Sequence, residues 1–397
     1  MSVRYARRME VVRPSAIRDL LHYGSDPDLI SFGGGYPDPA LFPAEELRAI
    51  YDGLLSGDDR SAMQYAVSDG LPALRRRIAE RMAADGVPCS LDEILVLQGA
   101  QQGLDLAAKL VLDPGDVVVT EDPTFLGAMI AFAPCEPAYA PVRTDDDGID
   151  PDDLERVLAA TPRAKLLYLM PDFHNPMGVT LSAERRRRVI ELADRHDLLV
   201  VEDSPYRSLR YDGVTAPTLK SLDTQGRVVF LGSFSKVLVP GMRLGWAVGA
   251  PEIIAKLGLL KLAADTQTST LNMAAAGAFL ERFDLDAHIA EVNAVYRRKR
   301  DVMLAAIEEH FPPSVTFTRP EGGLFTWLTF PAGFDAAAFL RDEALPNAKV
   351  AFVPGATFFP RDQPANHARL NFSGVSEAEI VEGISRLGLA LRRWLAG

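Results

Sequence analysis

From about residue 94 to 232 the chain alternates short apolar runs with stretches of helical periodicity. Residues 94–97 precede 101–112, whose apolar positions recur at helical spacing, and 117–119 precede a helix predicted near 126–132. Residues 165–170 precede a polar helix over 183–196, and 198–201 and 228–231 complete the set. Apolar runs that are continuous rather than alternating belong to parallel strands covered by helices on both faces. The pattern predicts an α/β fold with an open, mostly parallel, doubly wound sheet.

The last third reads differently. A long periodic helix is predicted over 286–310, then short strands near 315–318, 324–329, 350–352 and 368–372. A final helix starts at the capping-box pattern of Ser376 and Glu379 and runs to about 394. This predicts a second, smaller α+β domain. The run Arg185 to Arg188 sits on a helix with acids further along and is expected to form a solvated face.

Composition narrows the function. The 397 residues are 48% hydrophobic and 24% charged, with a formal net charge of -12. That balance excludes a disordered chain and gives no electrostatic footprint for nucleic acid or an anionic membrane. No window approaches a membrane span and the basic N-terminus lacks an apolar signal core, so a cytoplasmic protein is expected. Two cysteines, Cys89 and Cys135, make neither a disulfide framework nor a zinc motif, and the six histidines show no metal-ligand spacing, so no metal is expected. Dinucleotide, P-loop, nucleophile-elbow and zincin motifs are absent.

In open α/β sheets ligands bind beyond the carboxyl ends of the strands. Gly99, Ala100 and Gln101 follow one strand and open a helix, a phosphate-favouring arrangement. His174 and Asn175 follow the next, Asp203 and Tyr206 another, and Ser233, Ser235 and Lys236 the last. Lysines number only eight among 42 basic residues, and Lys236 lies in a small, apolar neighbourhood that favours a neutral, nucleophilic amine. A Schiff-base lysine with an acid for a pyridinium nitrogen is the signature of pyridoxal phosphate enzymes.

The segment from Ser233 to Trp246 resembles the lysine segment of fold-type-I, class I/II pyridoxal-phosphate-dependent aminotransferases, closest to the 2-aminoadipate/kynurenine branch. The similarity runs from Ile17 to Phe372. It implies a large cofactor-binding domain over 46–285 and a small domain formed by 1–45 and 286–397. It implies that Lys236 forms the Schiff base and moves the proton between Cα and C4′, that Asp203 pairs with the pyridine nitrogen, and that Asn175 and Tyr206 bond O3′. Gly99, Ala100, Gln101, Ser233, Ser235 and Arg243 would form the phosphate cup, and Phe125 would stack on the ring. Tyr65 would reach the phosphate of a neighbouring subunit, making a homodimer with shared sites. Arg369 would clamp the substrate carboxylate, with Gly34 and Gly35 close by and Arg18 facing the substrate side chain.

Three positions depart from the branch. Ala100 stands where serine is common, and His174 and Met177 stand where glutamine and threonine are usual, so His174 is a candidate substrate contact or extra base, with a spectator role equally open. The expected reaction moves an amino group between an α-amino acid and a 2-oxo acid such as 2-oxoglutarate, by a ping-pong mechanism. The alternative on the same residues is β/γ-elimination, replacement or another carbanion reaction. A regulator holding the cofactor as a ligand would need a basic DNA-binding domain ahead of the fold, and the early start of the resemblance and the acidic charge weigh against it.

Overall fold

In the computed structural model, residues 3–12 and 28–396 are described. The chain forms β1 (Ile30–Ser31), β2 (Ile94–Leu97), β3 (Val117–Asp122), β4 (Ala138–Asp145), β5 (Gly148–Ile149), β6 (Ala164–Leu169), β7 (Leu199–Asp203), β8 (Val228–Ser233) and β9 (Gly245–Val248). The large sheet has eight strands in the order β2-β9-β8-β7-β6-β3-β4-β5. Strands β8, β7, β6, β3 and β4 run parallel. Strand β9 is antiparallel to both β8 and β2, and β5 is antiparallel to β4. The sheet is therefore mixed, and its centre is the parallel, doubly wound array that the apolar runs predict.

The reason for continuous apolar strands is visible in the packing. Successive side chains of a strand point to opposite faces. Val118, Leu166, Tyr168 and Val201 join the larger core on one face, whereas Val119, Leu167, Leu169 and Val200 join a second core on the other. Neither face meets water, so neither can alternate with polar residues. Strand order reverses between β3 and β6, and the loops leaving β3, β6, β7 and β8 open at the same edge.

The small sheet comprises β10 (Thr316–Phe317), β11 (Phe325–Thr329), β13 (Val353–Pro354) and β14 (His367–Asn371), all antiparallel, in the order β10-β11-β14-β13. Strand β12 (Val350–Ala351) pairs in parallel with β1, and Asn371 N–H donates to Phe32 O at 2.9 Å. The N-terminal segment is thereby tied to the C-terminal third. The helices Leu285–His310 and Glu377–Ala396 pack together. The latter has its capping box: Ser376 N–H donates to Glu379 Oε2 at 2.7 Å and Glu379 N–H to Ser376 Oγ at 3.2 Å.

Two features depart from the sequence reading. Strands β4 and β9 form without continuous exposed cues, because β4 is half-exposed near the sheet edge and β9 is short. The arginine run is not a solvated face throughout. Helix Ala183–Arg195 turns one of the four arginines inward: Arg186 is fully buried and donates to Leu181 O (2.9 Å), Pro171 O (2.8 Å), Pro217 O (3.0 Å) and Asp172 Oδ1 (2.7 Å). Four consecutive residues cover more than a full helical turn, so one of them must face the sheet. Arg185 and Arg188 do pair near the surface, with Asp145 and Glu155. Among the described residues no helix is long and apolar enough to cross a membrane.

Candidate active site at the edge of the large sheet

Lys236 lies three residues past the end of β8, in a turn tightened by Ser235 N–H donating to Ser233 Oγ at 3.1 Å. Its Nζ donates to Gly35 O at 2.7 Å, which bridges the large sheet to the N-terminal segment. Burial, helped by the charges of Arg369 and Arg243, pulls the ammonium down to about 8. A lysine so placed has an appreciable neutral fraction near pH 7, the form of an amine that can act as a nucleophile.

Asp203 ends β7, buried. Its Oδ2 accepts from Tyr168 Oη at 3.0 Å, while its Oδ1 is buried without a hydrogen-bond partner. Burial pushes the carboxyl up to about 7, against the Tyr168 hydrogen bond and with the help of Glu121. An orphaned buried carboxylate oxygen is costly, and a protonated ring nitrogen is the kind of donor that would satisfy it.

Arg369, on β14, is 2% exposed. Its Nη1 donates to Asn175 Oδ1 and its Nη2 to Gly33 O, both at 2.8 Å, while Nε has no partner. The guanidinium stacks 4.3 Å from the Phe325 ring centroid and 5.1 Å from that of Phe358. No carboxylate among the described residues forms an ion pair with it, and burial brings it down to about 10. A desolvated guanidinium with neutral partners alone is a receptor for an anion. Tyr206 packs edge-on against Phe325 at 5.7 Å, its phenol raised by burial.

The other end of the site is a helix start. Gly99 caps helix Ala100–Val111 with φ 77 and no side-chain cap, leaving the first N–H groups free. A Cβ at Gly99 would lie 2.7 Å from Arg243 Nη2, so only glycine lets that guanidinium approach the helix start. Ser233 and Ser235 are buried beside it, whereas Ala100 offers backbone alone. Gln101 is turned aside, its Nε2 donating to Gly127 O at 2.7 Å. Phe125 precedes helix Leu126–Phe132, half-buried.

Thus Lys236 is joined to Gly35 and lies 5.9 Å from the Tyr206 ring centroid, Asn175 is joined to Arg369 and Tyr206, and Asp203 is tied to Tyr168. Gly34 abuts the Tyr36 ring: a Cβ there would lie 2.7 Å from Tyr36 Cδ2. Tyr65 is 83% exposed, away from its own chain's core. Arg18 lies outside the described residues. His174 is 1% exposed, with Nε2 3.2 Å from Glu121 Oε2, off the line of a good hydrogen bond, and Nδ1 accepting from Met177 N–H at 3.4 Å. Sequence reasoning missed Tyr168, Glu121, Phe325 and Phe358. A tyrosine and a glutamate interrupting apolar strands are the signals that could have found the first two.

The residues fit pyridoxal phosphate: an orphaned acceptor for the ring nitrogen, a depressed lysine, a glycine-lined helix start with an arginine, and an unpaired guanidinium. Residues 29–387 match the family model of aminotransferase class I and II. The chain is 40% identical over 386 residues to an aromatic-amino-acid aminotransferase of Thermococcus litoralis, covering 96% of this chain and 92% of the relative. It is 37% identical to a 2-aminoadipate transaminase of Thermus thermophilus, covering 97% and 96%. Among solved structures it is similar to a Pyrococcus horikoshii kynurenine aminotransferase, with a TM-score of 0.93, 38% identity and 98% and 97% coverage. Fold, site and relatives agree, and the chain belongs to the class I and II aminotransferases, enzymes that transfer amino groups with pyridoxal phosphate.

Proposed function

We propose that this site carries an amino group from an α-amino acid to a 2-oxo acid of 2-oxoglutarate type, with the residue roles set out below. Arg369 carries the reading: a buried guanidinium with no carboxylate partner among the described residues, held by Asn175 and Gly33 on the same cleft as Lys236. Amino acids and oxo acids share one α-carboxylate, and a planar fork suits it. The relatives named above are aminotransferases, so the elimination or replacement alternative gives way.

Pyridoxal phosphate, when bound, supplies a carbonyl that accepts and returns the amino group and a ring that withdraws electrons from the substrate Cα. The chain's own residues do the rest. Asp203 Oδ1 would hold the ring nitrogen protonated; Asn175 and Tyr206 would hold O3′. The helix start at Gly99, Ala100 and Gln101, with Ser233, Ser235 and Arg243, would hold the phosphate, and Phe125 would cover the ring. Lys236 Nζ would take the proton from the substrate Cα and deliver it to C4′, on the other side of the transferred nitrogen, which its depressed basicity permits at neutral pH. Gly34 and Gly35 would let the substrate approach backbone, and Arg18 would face its side chain.

Tyr65 projects from the chain, and this supports a homodimer in which it completes a neighbour's phosphate site. Two unpaired cysteines suit a reducing, cytoplasmic compartment. A screen of amino acids against the holoenzyme tests the reading. Amino donors should bleach the visible cofactor band without any oxo acid present, and an oxo acid should restore it. A band that no amino acid bleaches, with leaving groups released instead, would overturn it.

A further inference from the structure

The loop from Pro171 to Gly178 carries Asn175, yet its backbone is not relaxed. Phe173 is fully buried with φ 53, a left-handed conformation that a bulky side chain rarely adopts. Such strain persists only where the surroundings over-determine it. Two buried anchors flank it. On one side Arg186 binds Pro171 O and Asp172 Oδ1, and Asp172 Oδ2 also accepts from Arg207 Nη1 at 3.1 Å. On the other side stands His174.

His174 is fully enclosed, with one ring nitrogen engaged and the other facing a carboxylate. Its Nδ1 accepts from Met177 N–H at 3.4 Å, and its Nε2 lies 3.2 Å from Glu121 Oε2. Glu121 is itself fixed by Met170 N–H at 2.9 Å. It follows Thr120, which pairs in register with Tyr168, so it points to the sheet face opposite Tyr168 and Asp203. The imidazole is thus enclosed, 1% exposed, between the loop backbone and a carboxylate on the far face of the sheet. The next residue along the chain is Asn175, whose amide oxygen receives Arg369.

We propose that His174 is a positioning residue: buried between Glu121 and Met177 N–H, it fixes the Asn175 amide and, through it, the carboxylate-receiving guanidinium of Arg369. This rests on the reading of Arg369 given above. It departs from the sequence expectation that His174 touches substrate or acts as a base.

The test compares His174→Ala and His174→Gln holoenzymes with the wild type. Glutamine can donate to Glu121 and accept from Met177 N–H; alanine can do neither. His174→Asn, whose amide stops short of Glu121, replaces the alanine variant should that one not fold. Two readouts are used: calorimetric titration with 3-phenylpropionate, a carboxylate without an amino group, and hydrogen exchange of the backbone amides of residues 173–178. The alanine variant should bind the carboxylate about tenfold more weakly, and its loop amides should exchange at least about tenfold faster. The glutamine variant should stay within about twofold on both. Unchanged exchange with weakened carboxylate binding would mean that His174 contacts the ligand directly, and unchanged values on both would also overturn the proposal. Should the loop loosen in an enzyme that bleaches with no amino acid, the clamp stands and the transamination reading falls.

Discussion

Arg369 Nη1 donates to Asn175 Oδ1 at 2.8 Å, joining the small sheet to the edge of the large one. The two residues are 194 apart in sequence, and each lies beyond the reach of the other's local structure. The guanidinium therefore has its orientation set before any substrate arrives. On the proposed role of Arg369, substrate recognition would depend on the two sheets keeping their relative position.

The Arg369→Ala variant should lose the anion receptor while leaving Lys236 in place. Truncating one partner of a buried charge pair costs about 2–5 kcal/mol, which predicts a rise in KM of at least about 30-fold for amino acid and oxo acid alike. Arg369→Lys should lose less but remain impaired, because an ammonium lacks the planar fork. Steady-state kinetics on both substrates, with the visible band confirming cofactor retention, checks this.

Lys236 gives a pH signature in the protein freed of cofactor. Its folded value, about 8, lies below the ordinary value of 10.5. Between those two values the unfolded chain holds the extra proton, so stability rises with pH across that window. Below about 8 the buried charge is a full penalty, on the order of 3 kcal/mol for a group this buried. The Lys236→Met apoprotein should therefore melt above the wild type at pH 7, and the gap should close by pH 10. The same variant should show no visible band with the cofactor added. A constant gap across the range would count against the depressed amine.

Much of this site was legible because parallel strands gather their carboxyl ends. Asp203 and Lys236 stand at or just beyond apolar runs, and the runs themselves fixed which edge they share. What was not legible depends on pairing across the sheet. Tyr168 reads as one more apolar strand residue until register brings it to Asp203, and Glu121 and His174 are 53 positions apart. Arg186 reads as solvated because a run of four arginines does not announce which of them a helix turns inward.

Arg186 should accordingly behave as a core residue. Burial alone would raise the Asp172 carboxyl, but Arg186 and Arg207 outweigh it and hold it below the usual range. Arg186→Ala removes one of these cations, strands the carbonyls of Leu181 and Pro217, and leaves that of Pro171 with Leu181 N–H alone. Breaking a buried pair in this way costs about 3–5 kcal/mol. Thermal denaturation should show a drop of several degrees, whereas Arg187→Ala, on the exposed side of the same helix, should change little.

Asp203 and Tyr168 can be separated by paired substitutions. Asp203→Asn keeps the shape but removes the negative charge that would hold a ring nitrogen protonated, and the rate should fall about 10²–10³-fold. Tyr168→Phe removes one hydrogen bond to a carboxyl already pushed up to about 7 by burial. That carboxyl should move higher still, so the loss of rate should be modest at pH 9 and larger at pH 6, where more of Asp203 is protonated. A pH–rate profile of both variants distinguishes them: asparagine removes the rate's dependence on this carboxyl, so its loss is greatest at high pH, whereas the loss for phenylalanine is greatest at low pH.

Tyr65 offers a test of site sharing that needs no structure of the assembly. If the 83% exposed ring enters a neighbour's site, Tyr65→Ala damages the site that borrows it, while Lys236→Ala damages the site that owns it. A two-fold dimer exchanges equivalent contributions between its subunits. In a mixed dimer of the two variants, one site carries both lesions and the other carries neither. Random mixing of equal amounts makes half the dimers mixed, with one intact site in two, so activity should recover to about a quarter of the wild-type value. The measurement is the rate after unfolding and refolding the two variants together, against each refolded alone. Recovery to that level requires a shared site. No recovery, from variants shown to form mixed dimers, would place Tyr65 in service of its own chain.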